Sequence, residues 1–261
     1  MNREGGGALK RAIMGICAMD GGVLKMTDSS LSAMAERWQA VLDRVRAAEI
    51  AAQRPVGSVE LLAVSKTFGA DAVAAVHAAG QLAFGENYIQ EAVDKIQALS
   101  ALHGPLVWHC IGPIQSNKTR LVAEHFGWVQ TVDRLKIAQR LSDQRPEAMG
   151  DLNVCIQVNV DGGPTKSGAG LDEVDALAEA VRALPRLRLR GLMCIPDPVE
   201  GVAAQCAVFA RAQQVFERWQ QRGWEVDTLS MGMSADLEAA VASGATMVRV
   251  GSAIFGERHY A

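Results

Sequence analysis

Leu61-Leu62-Ala63-Val64-Ser65-Lys66-Thr67-Phe68 is the stretch on which the fold turns. Its four leading residues form an unbroken apolar run after Pro55 and Gly57. So short a run without polar alternation reads as a strand buried on both faces, as strands of parallel sheets are. The turn behind it decides between two parallel architectures. An open doubly wound sheet carries a G-x-G-x-x-G fingerprint at its first strand-to-helix turn. Ser65-Lys66-Thr67-Phe68 contains no glycine, so the closed barrel is favoured.

Working outward, the chain alternates strand and helix in both directions. Upstream, Leu31, Met34, Trp38, Leu42 and Val45 fall at helical spacing with Ser29 or Ser30 as N-cap, which predicts an extra helix before the first strand. Downstream, strands are expected at Leu82 to Phe84, Leu106 to Ile111, Trp128 to Thr131, Val154 to Val160, Leu187 to Met193, Thr228 to Ser230 and Met247 to Val250. Helices fill the gaps, among them Asp71 to Ala79, Gln115 to His125 and Ala235 to Ser243. Eight strands with intervening helices predict the α/β class and a single (β/α)8 barrel of TIM type. The 261 residues suit that fold, which typically takes about 250. The barrel is expected over residues 29–261, with residues 1–28 a flexible extension. Met26 stands just before the first helix signal and is a candidate start.

Composition excludes several function classes. A net charge of -3 gives no electrostatic reason to expect nucleic-acid or anionic-membrane binding. The five cysteines form no CxxC pair and no metal-ligand spacing with the histidines, so packed reduced thiols of a cytoplasmic protein are expected and no metal. Ala12 to Met19, behind Lys10 and Arg11, is too short and too quickly followed by Asp20 to read as a secretory signal. No stretch reaches the length of a membrane span.

Functional groups of such barrels sit at the C-terminal strand ends and in the loops beyond. Those positions hold Lys66 after strand one, Glu86 and Asn87 after strand two, His109 near the end of strand three, and Lys166 in the loop after strand five. Ser230 to Ser234 follow strand seven, and Arg249 to Ser252 close strand eight. A phosphate site is commonly built from the loops after strands seven and eight together with a helix N-terminus. Ser234, ahead of a helix expected from Ala235, and Gly251-Ser252 supply hydroxyls, backbone donors and room for close approach. Lys66 faces that cradle from strand one, where partial desolvation makes its amine a nucleophile for an aldehyde. Schiff-base lysine and phosphate cradle together suit pyridoxal 5′-phosphate (PLP), and equally a sugar-phosphate aldolase. Arg249 shares a strand face with Gly251. If that face is inward, its cation reaches the ring nitrogen of PLP and weakens the electron sink used in carbanion chemistry.

Leu62-Ala63-Val64-Ser65-Lys66-Thr67, Phe84-Gly85-Glu86-Asn87-Tyr88, Trp108-His109, Ile111-Gly112 and Gln115-Ser116-Asn117-Lys118 resemble the YggS/PROSC family of PLP homeostasis proteins. So do Lys166-Ser167-Gly168, Gly191-Leu192-Met193, Ser230-Met231-Gly232-Met233-Ser234-Ala235-Asp236, Val248-Arg249-Val250-Gly251 and Ile254-Phe255-Gly256, all in order between Ser30 and Tyr260. The resemblance implies a barrel like the N-terminal domain of alanine racemase with PLP on Lys66. It also implies phosphate contacts from Ser234, Gly251 and Ser252, and ring contacts from Asn87, Met231 and Arg249. One position departs: Phe68 stands where many relatives carry a second lysine, which puts PLP transfer through that position in doubt.

Two functions of different class then compete: a non-catalytic PLP carrier serving apo-enzymes, and a PLP-dependent racemase or related enzyme. Two-base racemisation needs an acid/base group on each face of the adduct. In alanine racemases the second is a tyrosine, and a C-terminal β domain completes the site. Here the tyrosines are Tyr88 and Tyr260, with one residue after the latter. The expectation is a carrier, monomeric for want of the domain that completes the racemase dimer.

Overall fold

The computed structural model describes residues 28–102, 104–162 and 167–256. The expected extension lies outside these apart from Asp28, which opens the first helix. That helix is α1 (Asp28–Ala51). The barrel follows as β1 (Glu60–Val64), α2 (Ala70–Ala78), β2 (Ala83–Glu86), α3 (Ile89–Ala98), β3 (Val107–Cys110), α4 (Thr119–His125), β4 (Trp128–Val132) and α5 (Leu135–Gln144). The second half is β5 (Leu152–Gln157), α6 (Val174–Arg182), β6 (Leu187–Met193), α7 (Val202–Gln221), β7 (Thr228–Ser230), α8 (Leu237–Ala242), β8 (Met247–Val250) and a short α9 (Ser252–Phe255). The eight strands pair in chain order, all parallel, and β1 closes on β8 from Glu60↔Met247 to Ala63↔Val250.

The unbroken apolar run of β1 is explained by burial on two sides. Leu61 and Ala63 belong to the main core between sheet and helices, with Phe84, Trp108, Val129, Val154 and Val248 on other strands. Leu62 and Val64, on the opposite strand face, pack inside the barrel with Ala83, Ile111 and Met247. Each such side chain contributes roughly 1.5–3 kcal/mol on burial, so neither face tolerates a polar residue cheaply.

The extra helix has a definite task. Being only four residues long, α9 covers little of the β8–β1 seam, and α1 packs against α2, α8 and α9 instead. The Trp38 indole N–H donates to Gln81 Oε1 at 2.8 Å, and Gln81 Nε2 donates to the carbonyls of Leu61 and Ala83 at the feet of β1 and β2. Arg54 donates to the carbonyls of Val241 and Ala245, which ties the end of α1 to α8.

Several boundaries differ from the sequence expectation, three of them close to the loops at the barrel mouth. β5 is Leu152–Gln157 rather than 154–160, because Val158 leaves the ladder to bridge Ala169. The helix expected from Gln115 begins as a 3-10 turn over Ser116–Lys118 and becomes α-helical only at Thr119. The helix expected from Ala235 begins at Leu237. Among the described residues no helix is long and apolar enough to cross a membrane, and no cluster of His, Cys, Asp and Glu could hold a metal ion. Cys110, Cys155 and Cys194 are free, and burial pushes each thiol up to about 12, so they serve as packing.

Candidate functional site

Closure of the barrel brings the ends of β1, β2, β7 and β8 around one cavity of about 310 Å³. Six of the seven expected site residues line it: Lys66, Asn87, Ser234, Arg249, Gly251 and Ser252. Its apolar walls are Val64, Phe68, Ile111, Ile195 and Met233. The seventh, Met231, is fully buried in the main core, and Met233, two residues on, lines the cavity.

Arg249 points inward. Its guanidinium is buried, donates to Ser230 Oγ at 2.7 Å and to the Cys194 carbonyl at 2.9 Å, and has no carboxylate within ion-pair distance among the described residues. Burial pulls its pKa below the ordinary arginine value. Among the described residues no carboxylate pairs with this interior arginine. A buried cation facing a cavity, with no carboxylate among the described residues at ion-pair distance, favours an acceptor or anion from a ligand.

The hydrogen bonds behind Arg249 have a fixed direction. Arginine only donates, so Ser230 Oγ accepts from it and gives its own proton to Gln130 Oε1 at 2.7 Å. The Gln130 amide is then oriented with Nε2 toward His109 Nδ1 at 3.0 Å. His109 Nδ1 must accept, which leaves the proton of the neutral ring on Nε2. Burial, aided by the charge of Arg190, lowers this histidine to about 3, and its ring stacks on Trp128 at 4.9 Å. His109 therefore lies below the mouth, inside the barrel, and does not line the cavity.

Glu86 is also turned away from the cavity. Its Oε1 accepts from Ser65 Oγ at 2.6 Å and from Lys95 Nζ at 2.7 Å on the helix-covered side of the sheet. Asn87, the next residue, does face the cavity, and its Oδ1 is buried with no protein partner among the described residues. Its backbone crosses Gly112 so closely that a Cβ there would lie 2.1 Å from the Asn87 carbonyl oxygen, which explains the glycine in Ile111-Gly112.

The phosphate cradle expected at Ser234 needs correction in its geometry. Residues 234–236 form a turn, and α8 starts with Asp236 as N-cap. Asp236 is spent differently: its Oδ1 accepts from the Met233 N–H at 2.6 Å, which fixes the turn that presents Ser234. Gly251, expected to allow close approach of a ligand, also eases the protein's own packing, since a Cβ there would crowd the Val64 carbonyl oxygen at 3.1 Å. Ser252 opens α9, whose first N–H groups have no intrahelical partner. Lys166 and Tyr260 lie outside the described residues. Tyr88 is exposed and does not line the cavity.

Sequence reasoning missed Lys95 and Glu91. The signal was present: Lys95 falls between Ala92 and Leu99 on the apolar face of α3, where a charge is out of place, and Glu91 precedes it by one helical turn.

The family model for the alanine racemase N-terminal domain matches residues 30–259. The pyridoxal phosphate homeostasis protein of Pseudomonas aeruginosa is 57% identical over 230 residues, covering 88% of this chain and 98% of that protein. The protein of the same name from Escherichia coli K12 is 53% identical, over 84% of this chain and 94% of its own length. PipY of Synechococcus elongatus, solved with PLP bound, superposes with a TM-score of 0.73 at 37% identity, over 85% of this chain and all of that one. Alanine racemase from Corynebacterium glutamicum, at 18% identity and a TM-score of 0.64 over 62% of its length, shares the fold. This chain, with its closed barrel built like the alanine racemase N-terminal domain, belongs to the family of pyridoxal phosphate homeostasis proteins.

Proposed function

We propose that this protein binds PLP in the barrel-mouth cavity, holds it as a Schiff base on Lys66, and acts as a non-catalytic carrier in PLP homeostasis. The observation that carries the reading is the convergence on one cavity of Lys66, the Arg249 cation, which pairs with no carboxylate among the described residues, the unpartnered Asn87 Oδ1 and the hydroxyls of Ser234 and Ser252. These residues fit a phosphorylated aromatic aldehyde. The hydroxyls and the first N–H groups of α9 would hold the phosphate, Arg249 would donate to the ring nitrogen, and Asn87 would accept from a ring hydroxyl. Lys66 Nζ would be the amine that bonds the aldehyde carbon, with the aldehyde oxygen released as water. Bound PLP would supply an electron sink, which a donating arginine weakens.

The carrier reading rests on what else lines the cavity. Beside Lys66 and Arg249, its described lining residues carry no ionisable side chain, so a second acid/base group for racemisation is not among them. A racemase or related weak PLP enzyme is the competing reading. We place the function in a single domain, residues 29–261, monomeric and cytoplasmic, in keeping with its free buried thiols, and delivering PLP to apo-enzymes. An absorbance spectrum of the protein with PLP, before and after borohydride, tests the cofactor. The expected result is an imine band near the visible edge that reduction abolishes and that Lys66→Ala lacks while remaining folded. A Lys66→Ala variant that keeps the band overturns the assignment. Turnover of a D- or L-amino acid by the loaded protein would favour the enzyme.

A further inference from the structure

The turn that carries Lys66 is fastened from behind. Thr67 has φ of 69°, a left-handed conformation that β-branched residues rarely adopt. Phe68 N–H closes the turn on the Ser65 carbonyl at 3.1 Å. Conformations of this kind persist only where the surroundings over-determine them, and here they do. Glu91 Oε1 accepts from the Thr67 N–H at 2.7 Å, and Lys95 Nζ donates to the Ser65 carbonyl at 2.8 Å. Phe68 stacks on Phe255 with ring centroids 5.2 Å apart. The backbone is therefore gripped immediately before and immediately after Lys66.

The grip has a built interior. Lys95 Nζ spends its three protons on the Ser65 carbonyl, Glu86 at 2.7 Å and Glu91 at 2.6 Å. Its side chain is only 6% exposed and that of Glu86 is fully buried. Ser65 Oγ adds a second link to Glu86. An apolar residue at position 95 would complete the buried face of α3 more cheaply than a desolvated ion pair does. The cation answers the carboxylates of Glu86 and Glu91, and its remaining donor reaches the turn at the Ser65 carbonyl.

We propose that Lys95, with Glu86 and Glu91, is a positioning clamp that holds the Ser65–Phe68 turn, with Thr67 in its left-handed conformation, and so aims the Lys66 amine into the cavity. None of the three lines the cavity, so they act on the reaction through the residues they hold in place. The proposal rests on Lys66 being the residue that bonds PLP. It deepens that reading by assigning the rate of bond formation to residues on the far side of the sheet.

The test separates placement of the amine from the rest of the site. Pyridoxine 5′-phosphate carries the ring and phosphate of PLP with an alcohol in place of the aldehyde, so it reports on the cradle without the covalent step. Glu91 is the variant of choice because its side chain is 32% exposed and its removal threatens folding least. In Glu91→Ala, borohydride-trappable attachment of PLP should slow by about tenfold or more, as small misplacements of reacting groups do. Affinity for pyridoxine 5′-phosphate should stay unchanged. Glu91→Gln, which keeps an acceptor for the Thr67 N–H, should restore most of the rate. Lys95→Leu should slow attachment as Glu91→Ala does. Attachment at the wild-type rate in folded Glu91→Ala would overturn the clamp, and so would equal loss of both ligands. If the wild-type protein itself traps no PLP, the reading of Lys66 fails first, which is a different outcome.

Discussion

At the scale of single residues, the informative side chains are those whose partners conflict with their burial. Lys66 and Arg249 were legible from the strand ends on which they stand, because strand position in a barrel dictates which groups reach the mouth. What Arg249 pairs with was not legible, since the answer lies in residues from β4, β6 and β7. His109 shows the same limit. The motif Trp108-His109 put it near a strand end, yet the alternation of β3 turns it into the barrel beneath the cavity. Its neutral state has a consequence for stability. With a folded value of about 3 against an ordinary value near 6.5, the unfolded chain binds more protons between those limits. The stability His109 contributes is complete above pH 6.5 and is lost as pH falls toward 3, at up to about 1.4 kcal/mol per unit. Urea unfolding at pH 7 and pH 4 should show a smaller difference for His109→Gln than for the wild-type protein. An equal difference in the two proteins would mean that His109 is not held neutral.

At the scale of elements, periodicity found each strand and every α-helix except the short α9, but placed several ends wrongly. Ends are decided by where hydrogen bonds go next. Asp236 spends its carboxylate on the Met233 N–H, so α8 starts two residues later than hydropathy suggests. Val158 bonds across to the loop at Ala169, so β5 stops early. The extra helix α1 was visible in its spacing, whereas its task of covering the β8–β1 seam was not, because that depends on α9 being too short. Trp38 joins the two facts, being buried and hydrogen-bonded to Gln81. Trp38→Ala should cost about 3–5 kcal/mol in chemical unfolding. The folded fraction should still bind pyridoxine 5′-phosphate, since Trp38 does not line the cavity. A loss below about 1 kcal/mol would mean that α1 adds little to barrel closure.

At the scale of the whole molecule, a closed eight-stranded barrel has two inner boundaries: a core between sheet and helices, and a smaller interior filled from alternate strand positions. The first could be read from unbroken apolar runs. The second could not, because its polar members, His109, Gln130, Ser230 and Arg249, come from four strands far apart in sequence. Closure sets the amine of β1 opposite the cradle after β7 and β8, and the proposed function depends on that juxtaposition. The most direct test is peptide mapping of the PLP-loaded, borohydride-reduced protein by mass spectrometry. A phosphopyridoxyl group is expected on the peptide containing Lys66 and on no other lysine. Label confined to another lysine, or no label on a protein saturated with PLP, would contradict it.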